Sequence, residues 1–148
     1  MSTGTSKKIN IPLHKPYVNS SVIENIKQVL DSGKLSGDGA MCKKVEQQLR
    51  ELFTIKHALL TTSCTHALEM AMMMIDLQPG DEVIMPSFTF VSTANAVIRA
   101  GGKPVFCEIN DRTQTIDIND LQRRITKRTK AVIPVHYAGV SAEMDEIM

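Results

Sequence analysis

The 148 residues carry 17 lysines and arginines against 16 acids, a net charge of +1 that leaves no long-range field to gather a polyanion and speaks against a nucleic-acid partner. Hydrophobic residues at 43% and charged residues at 22% exclude both a disordered chain and a coiled-coil rod, and predict one soluble domain with a real core. Cys42, Cys64 and Cys107 are odd in number and lack metal-ligand spacing, so neither a disulfide framework nor a metal site is indicated.

In chain order, Met1–Asn10 reads as a polar, basic tail without the apolar stretch of a signal peptide, and no later segment approaches the ~20 apolar residues of a membrane span. Together with the reduced thiols this predicts a cytoplasmic protein. Val22, Ile23, Ile26, Val29 and Leu30 recur at helical spacing behind Asn19-Ser20-Ser21, and Gly33 supplies the stop. A loop, Ser36-Gly37-Asp38-Gly39, precedes a second helix marked by Cys42, Val45, Leu49, Leu52 and Phe53.

From Lys56 onward short apolar runs alternate with helical segments, the pattern of crossover units in an α/β fold with a mostly parallel sheet and flanking helices. The expected strands are Ala58–Leu60, Val83–Met85, Val105–Cys107 and Ala131–Val135. The expected helices are Thr65–Ile75, Ser92–Ala100 and Asn119–Ile125, the last capped by Asn119 or Asp117. Leu68, Met70, Ala71, Met72, Met73, Met74 and Ile75 are apolar almost all round, which predicts a helix buried on several sides, against the sheet and a further layer such as a second subunit. Its methionines read as adaptable core filler and not as a soft metal site. Ser141–Met148 carries helix-start signals without a stop, which predicts a chain that continues past Met148.

The turn Thr61-Thr62-Ser63-Cys64-Thr65 is the leading site candidate. It follows an expected strand and opens a helix whose first amides lack internal partners, so the amides and the helix dipole suit an anion such as phosphate. A plain helix cap formed by Thr62 or Ser63 fits the same residues, and both readings stay open. Cys64 at a helix start is a conceivable nucleophile, but His66 lies two positions on and does not face it. His136, at the carboxyl end of the last strand, sits where ligands enter open α/β sheets, and a structural histidine there is an equal alternative. Phe88 and Phe90 follow the second strand on the same sheet edge as the turn, where an aromatic ring could stack on a flat cofactor; read as residues alone, core packing is the favoured alternative.

Three segments carry a resemblance: Leu60-Thr61-Thr62-Ser63-Cys64-Thr65-His66-Ala67-Leu68-Glu69-Met70, Pro79 to Asn95 with its Pro86-Ser87-Phe88-Thr89-Phe90, and Pro134-Val135-His136-Tyr137-Ala138-Gly139. Ser32-Gly33-Lys34-Leu35-Ser36-Gly37-Asp38-Gly39 adds a fourth. They resemble the DegT/DnrJ/EryC1/StrS nucleotide-sugar aminotransferases, a family of fold-type I pyridoxal-phosphate enzymes, and within it the enzymes that aminate dTDP-4-oxo-6-deoxyglucose. Residues 11–148 would then be the amino-terminal portion of that large domain. The resemblance implies pyridoxal 5'-phosphate as cofactor, its phosphate on Cys64 and Thr65 and its ring stacked on Phe90. It also implies glutamate and a nucleotide-linked 4-keto-6-deoxy sugar as substrates, with Lys34, Leu35, Ser36 and Gly37 near the sugar nucleotide. A homodimer and a place in surface-polysaccharide biosynthesis follow from the same likeness. The family's Schiff-base lysine and the acid paired with the pyridine nitrogen would lie past Met148, and Lys34, Lys56 and Lys103 match neither motif, so no catalytic residue is assigned within the chain. The competing expectations are a non-catalytic module that binds phosphate ligands and a thiol enzyme acting through Cys64.

Overall fold

The computed structural model describes residues 11, 12 and 14–148; the polar tail Met1–Asn10 lies outside the described residues. The chain divides into two compact units, Met1–Leu60 and Thr61–Met148.

The described residues of the first unit hold two helices. Helix α1, Ser20–Asp31, begins where the Asn19 side chain accepts the Val22 N–H at 3.2 Å, satisfying one of the amides that a helix start leaves without a partner. It ends as the chain turns through Gly33 at φ +67°, a left-handed conformation that glycine adopts without a Cβ clash. Helix α2, Ala40–Phe53, ends on Thr54, which takes up φ +53° and ψ 42° with its N–H on the Arg50 carbonyl. Both helices are amphipathic, yet neither contains a buried residue.

The expected strand at Ala58–Leu60 does not form: the segment is irregular, and Leu59 and Leu60 are exposed. A strand exists only where a neighbour takes its backbone groups, and among the described residues the Leu60 N–H finds the Glu46 carboxylate instead, at 3.1 Å.

The second unit is a three-layer α/β sandwich. Its sheet contains β1 (Glu82–Pro86), β2 (Lys103–Cys107) and β3 (Thr129–Val132) in the order β2-β1-β3, all parallel. Central strand β1 is buried throughout, and its alternating side chains serve two cores. On one face Val83 and Met85 pack with Met72, Leu77, Ala96 and Val97 from α3 (Cys64–Met74), α4 (Ser92–Arg99) and the segment after α3. On the other face Ile84 and Cys107 pack with Ile116, Leu121 and Ala142, beneath α5 (Ile118–Arg124) and α6 (Met144–Ile147). Gly102 fits closely beneath its neighbours: a Cβ there would lie 2.7 Å from Leu77 Cδ1 and 3.1 Å from Val97 Cγ1, so those side chains would have to shift. Strand β3 stops three residues short of the expected Val135, although Ile133 still donates to the Ile84 carbonyl at 2.8 Å.

Two buried carboxylates pin this unit. Glu82, at the amino end of β1, accepts from Thr126 Oγ1 at 2.7 Å, Arg128 Nη2 at 2.9 Å and Lys103 Nζ at 3.2 Å. The Thr126 hydroxyl is the leading cause that holds the Glu82 carboxyl below its ordinary range. Asp120 accepts the Glu108 N–H at 2.8 Å and binds Arg123 and Arg124, and these donors, the Glu108 amide first, hold its carboxyl well below the carboxylate range. Helix α5 is capped by Asp117, whose carboxylate accepts the Asp120 N–H at 2.7 Å, so of the two expected caps Asp117 serves and Asn119 does not.

The methionine-rich helix departs from expectation. In α3 only Met72 is buried, while Met73 and Met74 are 74% and 79% exposed, because among the described residues the layer on its sheet side is the one that covers it.

Candidate active site

The start of α3 is built by its sequence. Ser63 takes the extended cap conformation, and its hydroxyl accepts the His66 N–H at 3.2 Å while its carbonyl accepts the Ala67 N–H. The expected plain cap is therefore present, at Ser63. Thr61 Oγ1 turns back to the Ser63 carbonyl at 2.8 Å, closing the turn. Of the first four amides of the helix, two are thus consumed locally. Those of Cys64 and Thr65 take no partner among the described residues.

These two amides open on a cavity of about 640 Å³, lined from α3 by Cys64, Thr65 and Leu68. Its other walls are Thr89, Phe90, Ser92 and Thr93 around the start of α4, and residues 133–138 after β3. The cavity lies at the carboxyl ends of β1 and β3, where the ends of parallel strands and the starts of helices leave a crevice in open α/β sheets. Glu82 and its cations occupy the amino end of β1, so structural charge and candidate site are separated along the strand.

Cys64, Thr65 and Phe90 thus share one cavity. Phe90 is 73% exposed and Phe88 is exposed too, which corrects the expectation that both are core. They follow β1 through a bend instead of continuing its alternation, so neither faces a sheet core. Phe88 packs against Tyr137, with ring centroids 4.6 Å apart. Thr89, Thr93 and Ser92 are wall residues that the sequence did not single out. The Thr89 and Thr93 hydroxyls meet at 2.9 Å, and their spacing of four residues across a helix start was the available signal.

His66 is not a base for Cys64: its Nδ1 lies 2.5 Å from Thr62 Oγ1. The cysteines are all free thiols, and Cys107 is no nucleophile either, since burial pushes its thiol up to about 12. His136 lines the cavity and accepts the Ala142 N–H on Nδ1 at 3.0 Å.

Chemically, the cavity can hold a flat, phosphorylated molecule. Two unsatisfied amides at the positive end of an 11-residue helix suit a phosphate, the hydroxyls of Thr65, Ser92 and Thr93 add donors, and Phe90 offers a ring face. The volume falls within the range of small-molecule sites. No lysine, arginine or carboxylate is among the lining residues, so the side chains at hand can bind and orient but supply neither an amine nor a carboxyl group.

In the first unit, Lys34, Leu35 and Ser36 line a separate cavity of about 400 Å³ with Val29, Met41 and Cys42, and Gly37 is not part of its wall. The Lys34 ammonium lies 3.5 Å from the Asp38 carbonyl.

The chain is 40% identical over 138 residues to the spore coat polysaccharide biosynthesis protein SpsC of Bacillus subtilis, covering 93% of this chain and 35% of that protein. It is 33% identical to the GDP-perosamine synthase of Vibrio cholerae, over 93% of this chain and 37% of the synthase. Among solved structures it superposes on S. venezuelae DesV with a TM-score of 0.78 at 34% identity, covering 86% of this chain and 34% of DesV. On the GDP-4-keto-6-deoxy-D-mannose-3-dehydratase of E. coli, solved with bound hydrated PLP, the TM-score is 0.87 at 29% identity, over 94% of this chain and 37% of the enzyme. A Streptococcus pneumoniae protein solved in PLP and PMP forms matches with TM-scores of 0.82 and 0.83, both at 30% identity and over 94% of this chain and 35% of its own. The chain spans little more than a third of the length of these relatives. Residues 16–148 match the model of the DegT/DnrJ/EryC1/StrS aminotransferase family, and the chain belongs to that family.

Proposed function

We propose that these residues form the phosphate-binding and ring-stacking part of an enzyme that transfers an amino group from glutamate to a nucleotide-linked 4-keto-6-deoxy sugar. The observation that carries the proposal is the pair of unpartnered amides of Cys64 and Thr65 at the start of α3, opening on the same cavity as the exposed ring of Phe90. Family membership supplies the reaction class, and the likeness to the GDP-perosamine synthase of Vibrio cholerae supports an amino-sugar product.

The cofactor, pyridoxal 5'-phosphate, when bound supplies an electron sink and a temporary carrier for the amine. Cys64 and Thr65 would hold its phosphate through their N–H groups, with the Thr65 hydroxyl as an additional donor, and Phe90 would offer a ring face to it. Ser63 contributes indirectly: by taking the His66 amide on its own hydroxyl it fixes the helix start and leaves the two preceding amides for the ligand. The lysine that would attach the cofactor and the acid that would pair with its ring nitrogen belong, on this reading, to sequence past Met148. The sugar nucleotide reaches the loop Lys34–Gly37, and the outward methionines Met73 and Met74 meet a second subunit of a cytoplasmic homodimer.

The test uses the full-length protein, glutamate and dTDP-4-keto-6-deoxyglucose, with mass spectrometry of the sugar product. Replacement of the keto oxygen by an amine supports the proposal; loss of a hydroxyl with no amine gained would assign the chain to the dehydratases of the family instead. In the same protein Thr65→Val, which removes one phosphate donor while keeping the shape, is expected to weaken cofactor retention roughly ten- to a hundredfold, one hydrogen bond to a charged group being worth about 1.5–3 kcal/mol. Retention equal to wild type would remove the Thr65 hydroxyl from the phosphate site, leaving only its backbone N–H.

A further inference from the structure

We infer that His136 is a positioning residue of the cavity, held as a fixed tautomer that donates its Nε2–H to an oxygen of whatever the cavity binds. The inference deepens the proposed function and rests on it for the identity of the occupant. Its geometry starts from a backbone amide. The Ala142 N–H points at His136 Nδ1, 3.0 Å away, and an amide can only donate, so Nδ1 must carry a lone pair and no proton. The neutral ring therefore carries its hydrogen on Nε2.

Three features make this edge of the ring a donor for a ligand. Ala142 is buried in the core beside Ile84 and Cys107, so the amide that orients the ring is anchored by packing. The next residue, Tyr137, is held by its contact with Phe88, which fixes the chain on the other side. Among the described residues no protein group bonds Nε2, while His136 shares the cavity wall with Cys64, Thr65 and Phe90.

His136 also holds the one side-chain nitrogen among the lining residues. The hydroxyls of the wall can rotate to donate or accept, and so discriminate little between ligand oxygens and ligand N–H groups. A ring N–H held by a second bond can only donate. It selects an oxygen acceptor and fixes the in-plane orientation of a ligand that Phe90 and the α3 amides hold by face and by phosphate.

The test separates the two edges of the ring. His136→Asn places an amide oxygen where Nδ1 accepts from Ala142 but cannot reach as Nε2 does; His136→Gln reaches the Nε2 position and gives up the short acceptor. Pyridoxal 5'-phosphate is titrated into the full-length wild type and both variants, and melting temperatures are recorded in parallel. Expected are a melting temperature for His136→Asn close to wild type with affinity lowered about three- to tenfold, the worth of one neutral hydrogen bond, and affinity within about twofold of wild type for His136→Gln. An Asn variant that binds like wild type would overturn the inference and leave the phosphate site standing. A wild type that does not bind pyridoxal 5'-phosphate would overturn the proposed function and this inference with it. If the Asn variant does not fold, the imidazole nitrogen resonances of the wild type decide: a ligand-induced shift of Nε2 with Nδ1 unmoved supports the assignment, and no shift defeats it.

Discussion

The two units obey their sequence patterns by different physics. In Met1–Leu60 the helices are specified locally, by an asparagine cap, a glycine exit and apolar spacing, and no residue of either helix is buried. In Thr61–Met148 the helices α3 to α6 pack against the two faces of the sheet, and all of the buried apolar residues found among the described residues belong to this unit. The contrast teaches that periodicity announces a helix but not its cover. Ile23, Ile26 and Leu30 are as regular as any core stripe and are nevertheless exposed.

The sharpest way to break this comparison is a pair of truncations. Ile84→Ala, in the fully buried centre of β1, is expected to cost about 2–5 kcal/mol in urea unfolding, whereas Ile26→Ala should stay within about 0.5 kcal/mol. If Ile26→Ala cost 2 kcal/mol or more in the full-length protein, the apolar face of α1 would have a cover there, and the difference between the units would vanish.

Acid distinguishes the units next. The Asp120 and Glu82 carboxyls, both in the second unit, are held below their ordinary values. A carboxyl depressed by folding stabilises the folded state above its unfolded value, about 4, and loses that contribution as pH falls toward the folded one. The second unit is therefore expected to lose stability steadily below about pH 4, and Asp120→Asn should flatten that dependence while lowering stability at neutral pH. The readout is the urea midpoint as a function of pH, and an unchanged slope in the variant would show that Asp120 is not among the groups responsible.

Most of the second unit was legible from residues, for reasons that its structure explains. Val83–Met85 and Val105–Cys107 are apolar runs bounded by turn residues, and both became strands because each has a neighbour in the sheet. Ala58–Leu60 looks the same on paper and is irregular, since pairing is a property of two segments and a sequence window shows one. The candidate site divides similarly. Ser63-Cys64-Thr65 could be found because a helix start follows from local chemistry; Phe90 could be placed on the same sheet edge from the residues, but only the family likeness favoured a stacking role over a place in the core. Thr89, Thr93 and the tautomer of His136 depend on contacts across the fold: α4 must bring its first turn beside α3, and Ala142 must return to a ring six residues earlier. The same limit explains the methionines of α3, whose apolar character signals that they suit a cover without showing where one lies.

The helix caps offer a smaller and more symmetrical comparison. Asn19→Ala in α1 and Ser63→Ala in α3 each remove one side-chain acceptor from a helix start and should each cost about 1 kcal/mol. Equal costs would mean that capping is worth the same with and without a core beneath the helix. A markedly smaller cost at Asn19 would show that α1 frays independently of the rest, which amide hydrogen exchange at Val22 and Ile23 can check directly.

The smallest effect has the opposite sign. Thr54 closes α2 in the left-handed region, where its branched Cβ crowds the following carbonyl, and glycine is the residue that such C-terminal positions favour. Thr54→Gly relieves that crowding but frees the unfolded chain, so the two terms oppose each other. Relief is the larger for a branched residue, and a net stabilisation of about 0.5–1 kcal/mol is expected. Because Thr54 lies in the unit whose described residues include none that is buried, the gain should appear as slower amide exchange in the last turn of α2, with the unfolding of the sheet unit unchanged. If the substitution moved both to the same extent, the two units would unfold as one cooperative body, and local specification of the first unit would no longer describe its stability.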